Sequence, residues 1–239
     1  MAIEYVTDPE KFKAWAAQRQ VEYRQHRLEW TEHVGSIIQS NHRRAEREQR
    51  KMAEFEDLFR QLLEHIGEDA NREGLKETPR RAAEAWREWT SGYAVDPDSL
   101  LKEFDGEGYN TMVILHNVSI VSHCEHHLAP IIGTAHVGYI PRARIVGLSK
   151  LARVTFAYSA RLQVQERLTT QIADCLQRCL DPIGVGVLIR AEHGCMSSRG
   201  VRLHNSVTTT SSMKGALYDE ASARSEFLQL CLAAEESTQ

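Results

Sequence analysis

The segment SHCEHHLAPIIG, residues 122–133, sets one cysteine, one glutamate and two histidines in consecutive positions between apolar runs. Four adjacent residues cannot all point at one ion. Cys124 and His127, separated by two residues, can wrap onto a single tetrahedral ion from a turn or a strand end, but two ligands do not complete a site. The second half is AEHGCMSSRG at 191–200, where His193 and Cys195 sit two apart at the expected end of a strand and so project to one side. If both segments serve one ion, the fold must bring two distant strand ends together. Cys124, His127 and Cys195 then form a Cys2His set suited to zinc, with a fourth position left for water, as in catalytic rather than structural sites. The alternative on spacing alone is a closed structural site in which a further histidine is the fourth ligand.

His126 and His193 are left beside the ion, and the near-neutral pKa of imidazole makes them candidates for general acid and base. An anion subsite is expected at GLSKLARV, residues 147–154. There Ser149 reads as a helix N-cap with Lys150 and Arg153 in the first turn, where free N–H groups and the helix dipole favour phosphate. Arg199 follows the second metal segment closely.

Around these segments the pattern is α+β: helices first, then strands interrupted by one long helix. Residues 1–50 are polar and charge-rich, densest at NHRRAEREQRK (41–51), and read as a charged helical extension ahead of one domain over 51–239. Phe55, Leu58, Phe59, Leu62, Leu63 and Ile66 recur at spacings of three and four on one helical face, which Gly67 ends. Thr78 before Pro79 predicts an N-cap and a helix over 79–90. The β-branched runs TMVILHNVSIV (111–121), TAHVGYIP (134–141) and GVGVLIRAE (184–192) predict strands. RLQVQERLTTQIADCLQRCLD predicts a helix with Leu168, Ile172, Leu176 and Cys179 in one stripe, stopping at Asp181 before Pro182. Cys175 and Cys179, one turn apart on it, read as small buried hydrophobes rather than a metal pair, as does Cys231 in a closing helix over 220–234.

With 239 residues, 42% of them hydrophobic, the chain can bury a substantial core. A net charge of −4 provides no global basic field, so no nucleic-acid partner is expected. No run approaches the roughly 18 apolar residues of a membrane span, and MAIEYVTDPEKFK lacks an apolar leader core, so a cytoplasmic location without a membrane partner is expected. Five cysteines, an odd number without a short-spaced framework, point the same way, to reduced thiols or metal ligands.

The segments REGLKETPRRAAEAW, SHCEHHLAPIIGTAHVGYIP, VGLSKLARV, RLQVQERLTTQI, HGCMSSRGV and SVTTTSSMKGAL, in this order over about residues 55–230, resemble the GTP cyclohydrolase I family. The resemblance implies the tunnelling fold (T-fold), an antiparallel sheet with helices packed on one side. It implies Zn2+ on Cys124, His127 and Cys195, with proton transfer by His126 and His193. It further implies that Glu166 reads the guanine edge with Gln165 beside it. Lys150, Arg153 and Arg199 are then triphosphate contacts, Arg81 of TPRR supplies a further cation, and Ser149 lies near the ribose or phosphates. The implied reaction opens the imidazole ring of GTP by hydrolysis, releases formate and forms 7,8-dihydroneopterin triphosphate, at the head of tetrahydrofolate or related pterin and deazapurine biosynthesis. The implied assembly is a homodecamer of two pentamers, with sites at subunit interfaces.

Departures carry expectations too. Gly194 stands where the family often has a larger side chain, which implies a looser pocket. His65, His116, His123, His136 and His204 match no functional position and read as structural or surface residues. Two rivals are a tunnelling-fold reductase of a deazapurine nitrile, against which the metal ligand set speaks, and a zinc-stabilised binding module without turnover.

Overall fold

The computed structural model describes residues 9–236, so Met1–Asp8 of the charged N-terminal segment lie outside it. The chain divides into two compact units, residues 1–83 and 84–239. In the first, helix α1 (Pro9–His65) runs unbroken through residue 50. Its surface carries short-range ion pairs such as His42–Glu46 at 3.2 Å and Arg50–Glu54 at 3.8 Å, the kind that support a polar helix by a few tenths of a kcal/mol each. Phe55 and Phe59 pack ring against ring at 5.2 Å. Gly67 ends the helix as expected: at φ +91° it lets its own N–H reach Glu64 O and the Glu68 N–H reach Leu63 O, the paired bonds of a Schellman stop.

Helix α2 (Thr78–Trp89) begins one residue before the expected start, at Thr78 itself. In the second unit, β1 (Glu103–Asp105) pairs with β4 (Arg144–Val146) in a two-stranded sheet. The main sheet is built from β2 (Val113–Cys124), β3 (Pro130–Ile140), β5 (Leu162–Gln163), β6 (Gly184–His193) and β7 (Val207–Gly215), in the order β5-β2-β3-β6-β7. All its pairings are antiparallel except the two-residue β2–β5 pairing. The predicted strands are present. The strand β7 was not anticipated, because SVTTTSSMKG is polar on both faces; its threonines nevertheless suit a pleated strand.

Period-two alternation decides what the sheet buries. Val185, Val187, Ile189 and Ala191 of β6 face α3 (Leu148–Ser159) and α4 (Gln165–Leu180), in one core with Leu151, Val154, Leu168, Ile172 and Leu176. These helices pack on one side of the sheet, as expected. After the short turns α5 (Gly194–Ser197) and α6 (Ala216–Asp219), helix α7 (Ala221–Glu236) adds partial cover on the other side. There Leu188, Leu217, Phe227 and Cys231 form a second cluster. Gly138 and Gly186 make room for it: a Cβ on either would lie 3.0 Å from the Phe227 ring.

A bulge in β2 shifts the register between Leu115, opposite Val137, and Val118, opposite Ala135, with Asn117 at φ +53°. The extra residue keeps both Leu115 and Val118 toward the larger core. Cys175 and Cys231 are fully buried, and burial pushes both thiols up to about 12; Cys175 packs in the larger core as its reading as a small hydrophobe expects. Among the described residues no helix is long and apolar enough to cross a membrane.

Candidate metal and active site

The β2–β3 connection is a short loop closed by two backbone bonds, from Cys124 N–H to Ala129 O and from Leu128 N–H to Cys124 O, each 2.8 Å. Leu128 takes φ +55° to close it. This fixes Cys124 at the last position of β2 and His127 on the loop. Antiparallel pairing of β3 with β6 sets Ile131 opposite His193, so the end of β6 lies beside that loop. The Sγ atoms of Cys124 and Cys195 and a ring nitrogen of His127 lie within 4.8 Å of one another. One detail differs from the expectation. The strand stops at His193 and Cys195 belongs to the turn α5, so the helical turn rather than strand alternation aims its thiol.

Two thiols and one imidazole are a soft donor set of the kind that binds zinc. Cys124 is buried, Cys195 is half-buried and His127 is exposed, so the set is anchored from below and open above. Burial and the neighbouring Cys124 thiol push Cys195 up. Arg199 donates to His127 Nε2 at 3.1 Å. The residues present therefore fit a Zn2+ ion.

The loop is braced from α4 by a clamp that sequence reasoning missed. The Arg167 guanidinium forms an ion pair with Glu125 and also donates to Gln163 Oε1 at 3.2 Å and Leu162 O at 3.1 Å. It holds the Glu125 carboxyl below the usual range. The Glu125 N–H also bonds Gln163 O at 3.1 Å. No local signal marks a pairing between residues so far apart in the chain.

His193 is half-buried and its Nε2 lies 2.7 Å from Gln165 Oε1. The amide oxygen only accepts, so Nε2 carries the proton and Nδ1 is the basic nitrogen. Burial holds His193 below the ordinary histidine value, against the opposing pull of Glu166. Gln165, expected beside Glu166 at the substrate, lines the same cavity but has its amide turned to the protein. It is 1% exposed, and its Nε2 donates to Ile189 O, Thr208 O and Thr210 Oγ1 at 3.0–3.1 Å. Its neighbour Glu166 is exposed at the start of α4.

Cys124, His126, Glu166, His193 and Cys195 all line one cavity of about 220 Å3. His126 Nδ1 lies 3.7 Å from Cys124 Sγ. At Gly194, expected to loosen the pocket, a Cβ would lie 3.0 Å from the Pro130 ring, so a larger side chain needs the end of β3 to give by a few tenths of an ångström.

Of the expected phosphate residues, Arg199 stands beside His127, whereas Ser149, Lys150 and Arg153 lie elsewhere in this chain. Gly147, not Ser149, is the N-cap of α3, and Ser149 is the second helical residue. The start of α3 sits by Tyr139, whose hydroxyl accepts from the Val146 N–H at 3.0 Å. The metal loop adjoins Pro130 at the other end of β3, roughly 30 Å away at strand rise. Ser149, Lys150 and Arg153 are therefore not gathered with Cys124 within one subunit. Arg81 is exposed on α2 in the first unit. His123 is structural, as expected, packed between Trp86 and Trp89 at 4.9 and 4.7 Å.

Fold and site together define an α+β protein with a Cys2His ligand set flanked by two further histidines. A family model described as GTP cyclohydrolase I matches residues 55–232. The chain is similar to GTP cyclohydrolase 1 of Janthinobacterium sp. (strain Marseille), 51% identical over 72% of this chain and 88% of that protein. It is also similar to GTP cyclohydrolase 1 of Methylococcus capsulatus, 50% identical over 74% of this chain and 96% of that protein. A third relative, GTP cyclohydrolase 1 of Chlorobium phaeovibrioides, is 54% identical over 71% of this chain and 76% of its own length. The chain belongs to the GTP cyclohydrolase I family.

Proposed function

We propose that this chain hydrolyses GTP to 7,8-dihydroneopterin triphosphate and formate, using Zn2+ held by Cys124, His127 and Cys195. The observation that carries the reading is one cavity lined by two thiol ligands, two imidazoles and a guanine-competent carboxylate, in a member of this family. Bound there, zinc supplies Lewis acidity that makes water nucleophilic near neutral pH.

The side chains do the rest. Glu166 accepts hydrogen bonds from N1–H and the exocyclic amine of guanine, a donor pair that adenine lacks. His193, with Nε2–H fixed on Gln165, takes up a proton at Nδ1, and His126 on the exposed rim returns one as the purine ring opens. Arg199, beside His127, meets the triphosphate from the metal side.

The remaining cations, Lys150 and Arg153 with Ser149 beside them, reach a substrate at this cavity only from a second subunit, since their own helix starts at the far end of the sheet. The cavity is also smaller than the roughly 300–1,000 Å3 usual for ligand pockets, which supports completion by a neighbouring chain. The reading includes a homodecamer of two pentamers, with Arg81 as a further cation. It also includes a cytoplasmic location, supply of a tetrahydrofolate, pterin or deazapurine pathway, and a charged extension over residues 1–50 ahead of the catalytic domain.

The test is incubation of zinc-loaded protein with GTP while pterin absorbance and formate are followed, with a chelated control. Metal-dependent appearance of both products is expected. Bound zinc with intact GTP would favour a module without turnover.

A further inference from the structure

A second group of metal-ligating side chains lies on the opposite face of the sheet from α3 and α4. His116, His136 and Cys231 each offer one donor atom, all within 4.8 Å of one another. They come from three elements: the β2 bulge, the middle of β3, and α7. The imidazoles meet Nδ1 to Nδ1 at 3.0 Å. Two nitrogens held about 2.1 Å from one tetrahedral ion stand about 3.4 Å apart, so the rings are already nearly spaced for shared coordination.

The surroundings of His136 supply an independent observation. This histidine is fully buried, and among the described residues its Nε2 has no hydrogen-bond partner. The nearest carboxylate oxygen, Glu235 Oε1, lies 3.5 Å away and is itself buried without a hydrogen bond. The other oxygen of Glu235 is paired with Arg190. Histidines that bind metal commonly turn the far ring N–H toward a carboxylate, which fixes the tautomer and frees the near nitrogen as ligand. Here Glu235 faces Nε2 while Nδ1 faces His116.

Access is present as well. His116 is half-buried, and its neighbour Asn117, together with Arg190 and Glu235, borders an open cavity of about 640 Å3. We propose that His116, His136 and Cys231 form a second binding site for a divalent transition ion of the zinc class, oriented by Glu235, that staples α7 to β2 and β3. Nothing in this site draws on the residues of the first, so it stands independently of the cyclohydrolase reading. A donor set of two imidazole nitrogens and one thiolate selects zinc or cobalt over magnesium or calcium, which take oxygen ligands.

The test titrates metal-free, full-length protein with Co2+ under reducing, oxygen-free conditions. Bound cobalt per chain and the thiolate-to-cobalt absorption are recorded for the wild type, Cys231→Ala, His116→Ala and the double variant Cys124→Ser/Cys195→Ser. Two equivalents are expected for the wild type, falling to one in Cys231→Ala and in His116→Ala. The double variant should keep one equivalent, with its thiolate band now arising from Cys231. A wild type that binds one cobalt, retained in both single variants, overturns the second site. One equivalent in the wild type that vanishes in Cys231→Ala upholds the second site and counts against the first. The two single variants decide the matter even if the double variant does not fold.

Discussion

The amide oxygen of Gln165 lies 2.7 Å from Nε2 of His193, while the amide nitrogen of the same side chain is spent on β6 and β7. A buried amide thus fixes which imidazole nitrogen is basic. Replacing it with an apolar side chain of similar length, Gln165→Met, releases the ring and leaves Ile189 O and Thr208 O without this donor. We expect about a 10–100-fold loss of kcat, the range seen when an orienting partner is removed, with zinc content unchanged. Steady-state kinetics beside metal analysis checks this; loss of metal would show that Gln165 serves the ligand set instead.

Cys195 and His193 are two residues apart yet have different tasks in the proposed mechanism. Cys195→Ser should lose zinc and activity together. His193→Ala should lose activity, by about 10²–10⁴-fold if it removes a general acid–base catalyst, and retain zinc. Metal loss in His193→Ala would reverse the two assignments.

Arg167 braces the ligand loop through Glu125 without touching a ligand. Both side chains are substantially solvent-exposed, so Arg167→Ala should change the melting temperature little. It should weaken zinc retention about tenfold, because the loop carrying His127 loses its tie to α4. Competition with a chromophoric chelator measures the difference, and unchanged retention would show that the two backbone bonds of the loop suffice.

Asp98 pairs with Arg178 and also accepts from the Cys175 thiol at 3.4 Å. The hydrogen bond from Arg178 is the main cause that holds its carboxyl below the ordinary value of 3.8, against the opposing effect of burial. The unfolded chain therefore takes up this proton more readily than the folded one. The stabilisation is fully present above the unfolded value and is lost as pH falls through the folded one. Because both partners are largely exposed, it amounts to under about 1 kcal/mol. Asp98→Asn should lower the midpoint of urea unfolding slightly at pH 7, and the gap from wild type should close at acid pH. A gap that is constant with pH would point to lost packing instead.

Sequence alone was enough for elements whose signal is local. The apolar stripe of α4, the glycine stop at Gly67 and the β-branched runs of β2, β3 and β6 each repeat at the period of their own backbone, so a short window contains the whole signal. The gathering of Cys124, His127 and Cys195 was legible too, because Cys124 ends β2 at the loop that carries His127 and Cys195 lies just past a recognisable strand. The polar strand β7 was not legible, since its placement depends on the edge of β6 rather than on its own burial pattern. Only the tertiary structure decided that Gln165 faces His193 instead of solvent, that Arg167 reaches Glu125, and that Ser149, Lys150 and Arg153 lie at the far end of the sheet from Cys124. It also decided that His116 and His136, both read as structural or surface residues, meet beneath Cys231. Each of these depends on strand register and on the packing of helices across a sheet. Such relations join residues distant in the chain, and they leave no periodicity in any one segment.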